Sequence, residues 1–250
     1  MENRTLLVVL AHPDDESFPM GGTLAKYAAQ GVRVELICAT RGEAGIPGTS
    51  PAVTAQIRER ELRAAAKVLG LSKVHFLGYE DGKLAAANAE YVAQELVRRM
   101  WQIRPNAVIT FGRDGISGHP DHVAIHRFTT QAFDQAGLNG ARLFYLAPSE
   151  ATQQGCGVPP PQETAGGPVA GIEVGNYLVA KVRAAQCHAS QQPPFPGPPE
   201  EEAKKLVCHE YFTVARPTIW QNDVEDLFAV APVGKAVKEI VRSIRLQAGL

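Results

Sequence analysis

Two short runs hold most of the groups able to do chemistry: His12-Pro13-Asp14-Asp15-Glu16 near the N-terminus and His119-Pro120-Asp121-His122 near the middle. Ionisable groups packed this closely repel one another unless a cation or a proton intervenes. His12 and Asp15 are close enough in sequence to chelate one ion if the chain turns after Pro13. An acidic helix N-terminus would also account for Asp14, Asp15 and Glu16, because the helix dipole favours carboxylates there. The histidine directly ahead of them favours a metal. In the second run, Pro120 suits a first helical position and His119 a cap, with His122 and His126 on the same face.

His12, Asp15 and His122 supply two imidazoles and one carboxylate, with a corner left for water. That is the arrangement of catalytic rather than structural zinc. Water on such an ion has a pKa lowered to about 7, within reach of a neighbouring carboxylate. Asp14 stands beside a ligand without being one, which suits a general base. His119, kept cationic by Asp121, suits a developing oxyanion. His75, His126 and His209 read as packed or solvent-facing rings. The same ligand set also holds non-haem iron in oxygenases, and a metal-stabilised binding module would keep the site without turnover.

These runs need elements to bring them together. Leu6 to Ala11 is a continuous apolar run, the pattern of a strand covered on both faces. Further strands are predicted at Val32 to Ala39, Val74 to Leu77, Ala107 to Phe111 and Leu143 to Ala147. Helices are predicted at Gly21 to Gln30, over 53–69 and 88–103, and at His122 to Ala136. Strict alternation with short connections predicts an α/β fold: a Rossmann-like parallel-sheet three-layer sandwich. Both runs then follow strands near the switch point of the sheet, where ligands bind. No GxGxxG follows the first strand, so a dinucleotide role is poorly supported.

After Pro148 the composition shifts, and residues 148–199 hold ten of the chain's eighteen prolines. Stretches 148–171 and 192–199 read as long loops. Asn176 to Ala189, Glu201 to Cys208 and Val233 to Leu246 read as helices, and Tyr211 to Ala215 as a late strand. The expectation is one domain over 1–250: a core at 1–147, and an irregular C-terminal extension at 148–250 that completes the pocket.

With 25 Lys and Arg against 26 Asp and Glu, the net charge of −1 gives no bulk attraction for nucleic acid. No apolar run suffices to span a bilayer, and Leu6 to Ala11 is shorter than a signal-peptide core. A cytoplasmic chain starting near Met1 is expected, with a small-molecule substrate and room for homo-oligomerisation. Cys38, Cys156, Cys187 and Cys208 lack paired spacing, so neither a disulfide framework nor a thiolate zinc site is expected. Cys38 and Cys208 read as small buried hydrophobes.

Ala11-His12-Pro13-Asp14-Asp15-Glu16 and His119-Pro120-Asp121-His122 resemble the two motifs of the PIG-L/LmbE-like metal-dependent N-deacetylases. The resemblance implies zinc, with ferrous iron as the other choice, on His12, Asp15 and His122. It places the general base on Asp14 and oxyanion stabilisation on His119. The implied reaction is removal of an N-acyl group, acetyl above all, from an amino sugar or related small molecule. Thr40 to Gly45, containing Glu43, is similar to the family's loop after the second strand. Arg58 stands where the family's substrate-contacting arginine lies, and Asp81 matches an acidic position near the sugar. Lys181 through His188 to Gln191, and Glu210-Tyr211-Phe212, resemble the C-terminal signatures. Substrate contact is therefore expected of Arg58, Glu43, Asp81 and His188. The plainer readings are a surface pair of Arg58 with Glu59 or Glu61, a turn at Asp81-Gly82, a solvated Glu43, and a helix cap at His188.

Overall fold

A computed structural model describes residues 4–147, 169–217 and 225–228. Thr5–Leu10 (β1) is buried at every position, as a continuous apolar run requires between two helical layers. The parallel strands that follow are Arg33–Cys38 (β2), Lys73–Phe76 (β3), Ala107–Thr110 (β4) and Arg142–Leu146 (β5). Two antiparallel strands, Val169–Glu173 (β6) and His209–Arg216 (β7), extend one edge, giving the order β3-β2-β1-β4-β5-β7-β6. β1 pairs with β2 through Leu6 opposite Val34 and with β4 through Leu6 opposite Ala107. The winding reverses between β1 and β4, so the crevice beyond Leu10 and Thr110 is the switch point.

Gly21–Ala29 (α1), Pro51–Leu69 (α2) and Leu178–Cys187 (α5) pack together as one layer, and Ala89–Ile103 (α3) pairs with Pro120–Ala136 (α4) in the other. Local chemistry sets their ends. α2 stops at Gly70, left-handed at φ +76°, and Asn88 caps α3 by accepting the N–H groups of Glu90 and Tyr91. At Gly22 a Cβ would come within 2.8 Å of the Val174 side chain, so α1 seats against the sheet only with glycine there.

The core elements fall where the periodicity places them, shifted by a residue or two at their ends. The C-terminal part departs more. β6 begins inside the stretch expected to be loop. The helix expected over Glu201 to Cys208 is one short turn, Pro199–Ala203 (α6). The helix expected over Val233 to Leu246 lies outside the described residues. Cys208 is disulfide-bonded, which corrects its reading as a buried hydrophobe, whereas Cys38 is a buried free thiol. Spacing along the chain carries no signal for this disulfide. Among the described residues, no helix is long and apolar enough to cross a membrane.

Candidate metal centre

The first run leaves β1 in a tight turn whose tension falls on Asp14. Its φ of +108° is costly for a residue with a Cβ. Several contacts hold it there. Glu16 Oε2 accepts the Asp14 N–H at 3.1 Å, and the Asp14 carbonyl accepts the Ser17 N–H at 3.0 Å. Arg58 Nη2 donates to the Pro13 carbonyl at 2.6 Å and to Asp14 Oδ2 at 3.1 Å. The turn folds Asp15 back so that its Oδ2 accepts the His12 N–H at 2.7 Å.

The second run starts α4. Pro120 occupies the first turn and His119 is the cap, its Nδ1 accepting the Asp121 N–H at 3.1 Å. His122 stacks on Phe111 with centroids 4.1 Å apart, and its Nδ1 lies 3.0 Å from the Gly115 carbonyl. Gly115 has φ +65°, and a Cβ there would approach the His122 Cβ to 2.8 Å, so this position also requires glycine.

The two strand ends converge. His12 Nδ1 lies 3.1 Å from His122 Nε2 and 3.7 Å from Asp15 Oδ2, while His122 Nε2 lies 3.3 Å from Asp15 Oδ1. Tetrahedral zinc with bonds of about 2.0–2.1 Å holds its donors about 3.3 Å apart. The far ring nitrogens are already satisfied, as ligating histidines require. His122 Nδ1–H donates to Gly115, and His12 Nε2–H faces Asp81 at 3.0 Å and Asp121 at 3.2 Å. Two other groupings around His12 are also compact enough to hold a metal, His12/His119/His122, which shares both histidines with the set above, and His12/Asp81/Asp121. In the second, the carboxylates have other donors: Asp121 accepts the N–H groups of Gly82 at 2.7 Å and Leu84 at 3.0 Å, and Asp81 that of Ala44 at 3.0 Å. They serve better as outer carboxylates that fix the His12 ring.

The electrostatics ask for a cation. Burial disfavours charge on His12, yet hydrogen bonds to Asp121 and Asp81 and the charge of Asp15 raise its pKa to about 10. The cluster thus takes up positive charge as a proton, the demand a divalent ion would meet. On Asp81, burial is outweighed by the His12 contact, which brings its pKa to about 2. Asp14 goes the other way: burial first, then the charge of Asp15, raises it well above the ordinary carboxylate range despite Arg58. His119 is lowered, by burial and then by the charges of His12 and His122.

That last direction corrects one expectation. Asp121 does not keep His119 cationic: its carboxylate turns to His12, Gly82 and Leu84, and His119 Nδ1 accepts a backbone N–H. His119 is then a neutral imidazole with its proton on Nε2. Its ring centroid lies 4.7 Å from that of His12 and 4.9 Å from that of His122.

The residues expected at the substrate divide. Arg58 pairs with neither Glu59 nor Glu61; it is 4% exposed and braces Asp14, Pro13 and the Gly42 carbonyl. Glu59 pairs with Arg41 and Arg63, and Glu61 binds Ser190. Glu43 is half-buried and accepts the Arg41 N–H within its own loop. Asp81 faces His12. His188 is fully buried against Glu16 at 2.7 Å, away from the cavity wall. His126 is a packed ring, donating Nδ1–H to the Phe111 carbonyl.

The sequence reading gave Glu16 no role of its own. Its place within the first run was the available signal, but its partner at residue 188 cannot be found from spacing. The Lys181–Glu210 pair at 2.6 Å was likewise missed; Glu210 caps α1 by accepting the N–H groups of Gly22 and Thr23.

The mostly parallel α/β sheet thus gathers the histidines and carboxylates of both runs at its switch point, in groupings compact enough to hold a metal. The chain belongs to the PIG-L family, GlcNAc-PI de-N-acetylase, whose model matches residues 7–133 and so spans both motif runs. It is similar to the 1D-myo-inositol 2-acetamido-2-deoxy-alpha-D-glucopyranoside deacetylase of Actinosynnema mirum, 34% identical over 74% of this chain and 80% of that one. The protein of the same description from Kineococcus radiotolerans is 36% identical, over 56% of this chain and 47% of its own length. Among solved structures, the conserved protein TT1542 from Thermus thermophilus superposes with a TM-score of 0.63 at 27% identity, covering 86% of this chain and 96% of that one.

Proposed function

We propose that this chain removes the N-acetyl group of an amino-sugar glycoside, with His12, Asp15 and His122 holding zinc. The observation that carries this reading is the approach of His12 Nδ1 and His122 Nε2 to 3.1 Å, each facing one oxygen of the Asp15 carboxylate at 3.7 and 3.3 Å, with the far ring nitrogens already bonded and Asp14 adjoining. A divalent ion held by these residues would lower the pKa of bound water toward about 7 and polarise a carbonyl oxygen. Asp14 takes the proton from the water that attacks the amide carbon; its burial beside Asp15 raises its affinity for that proton. His119 donates Nε2–H to the oxygen that gains charge. As the C–N bond breaks, Asp14 returns the proton to the leaving amine.

The test uses the zinc-restored chain with 1D-myo-inositol 2-acetamido-2-deoxy-alpha-D-glucopyranoside and simpler N-acetylglucosamine glycosides. Acetate and free amine are expected in equal amounts. Oxygen uptake without acetate would point instead to the oxygenase use of such a ligand set.

A further inference from the structure

The cavity that adjoins the metal centre is much larger than the methyl of an acetyl group needs. It has a volume of about 500 Å³, and Asp15 and His122 form part of its wall. Among the described residues, apolar side chains make up most of the rest of the wall, chiefly Phe18, Phe111, Ile116, Leu146, Phe195 and Leu206, with Ser117, His209 and Tyr211 as polar members. The lysines and glutamates of the wall pair with one another. Lys181 Nζ donates to Glu210 at 2.6 Å, and Lys205 Nζ to Glu202 at 2.9 Å. Glu210 also accepts two backbone N–H groups, and Glu202 accepts that of Gly197. His209 stacks on Tyr211, with centroids 6.0 Å apart.

Such a wall selects by polarity. A ring of hydroxyls placed against its apolar side chains would leave polar atoms without partners, which costs free energy. A phosphate or carboxylate would lie beside the Glu202 and Glu210 carboxylates, which already offset the charge of the two lysines. An uncharged hydrocarbon group meets neither penalty and gains from leaving water. We infer that the amino sugar acted on by this chain carries an apolar substituent of several carbons, and that this cavity seats it. The inference rests on the deacylation reading and adds the chemistry of the substrate's remaining part. The substituent can belong to either end of the substrate: an acyl chain longer than acetyl, or an alkyl group at the anomeric oxygen.

Two series with the zinc-loaded chain separate these sources, read as kcat/KM for release of free amine. One lengthens the N-acyl group of glucosamine from acetyl to butyryl and hexanoyl. The other keeps N-acetyl and lengthens an alkyl glycoside from methyl to butyl and hexyl. A rise of up to about fourfold per added methylene is expected in one series, and the series that rises identifies the source. Phe195→Ser and Leu206→Ser, at partly exposed wall positions, should flatten that rise with zinc content unchanged. Turnover that is flat or falling in both series overturns the apolar seat and leaves deacylation standing. A steep rise that survives both substitutions overturns the location. Absence of amine from every compound overturns the deacylation reading, and this inference with it.

Discussion

Glu16 and His188 lie 172 residues apart in sequence and meet at 2.7 Å with both side chains fully buried. The pair links the end of α5 to the turn that carries Asp14, because the second oxygen of Glu16 accepts the Asp14 N–H. The C-terminal part of the chain thereby braces a strained residue of the N-terminal site. Burial works against charge on His188, but its bond to Glu16 outweighs this and raises its pKa.

Removing one partner of a buried pair strands the other. His188→Ala is expected to cost about 3–5 kcal/mol of stability, read from denaturant unfolding. In the fraction that folds, kcat should fall more than KM rises, since Asp14 loses its brace. A variant as stable and as fast as the parent would show the pair to be idle.

Asp14→Asn keeps the shape of the side chain and removes its capacity to hold a proton. Zinc stoichiometry should remain, while kcat falls by about 10²–10⁴-fold. Turnover at the parent rate would reassign the general base.

Much of this centre was legible from the two motif runs, because short spacing and a strand end constrain where such side chains can go. The strands of the core were legible too, since burial on both faces demands continuous apolar runs. β6 was not: Val169-Ala-Gly-Ile-Glu is short and follows a Pro/Gly-rich stretch, and its partner β7 lies forty residues on in sequence. The bracing of Asp14 by Arg58 was not legible either. The Arg58 guanidinium fits between Gly42 and Gly45, where a Cβ on either would come within 2.3 Å of Nη1, a constraint set by loop folding. The direction of the Asp121 carboxylate was illegible for a similar reason, being fixed by backbone N–H groups from the turn at Gly82 and Leu84.

On the proposed ligand set, the Asp121 carboxylate would support the metal through His12. Asp121→Asn should lower zinc affinity by about 10–100-fold without abolishing binding, whereas His122→Ala should remove tight binding altogether. Competition with a chromophoric chelator measures both. Equal affinities in the two variants would contradict the division into ligands and outer partners.

His126 sets a pH dependence of stability. Burial lowers its pKa below the ordinary value of about 6.5, despite its bond to the Phe111 carbonyl. The folded state therefore prefers the neutral ring. Its contribution is complete above the unfolded pKa and is lost as pH falls below it, because the unfolded chain then binds more protons. Thermal melts between pH 8 and pH 5 should show a smaller acid-side loss in His126→Gln than in the parent. Parallel curves would remove His126 as a source of the loss.

The position of the ion tests the central claim most directly, through anomalous scattering at the zinc edge from crystals of the zinc-loaded chain. One peak is expected, about 2.0–2.2 Å from His12 Nδ1, His122 Nε2 and an Asp15 oxygen. A peak on the other side of the His12 ring, bound through Nε2 with Asp81 and Asp121, would contradict it.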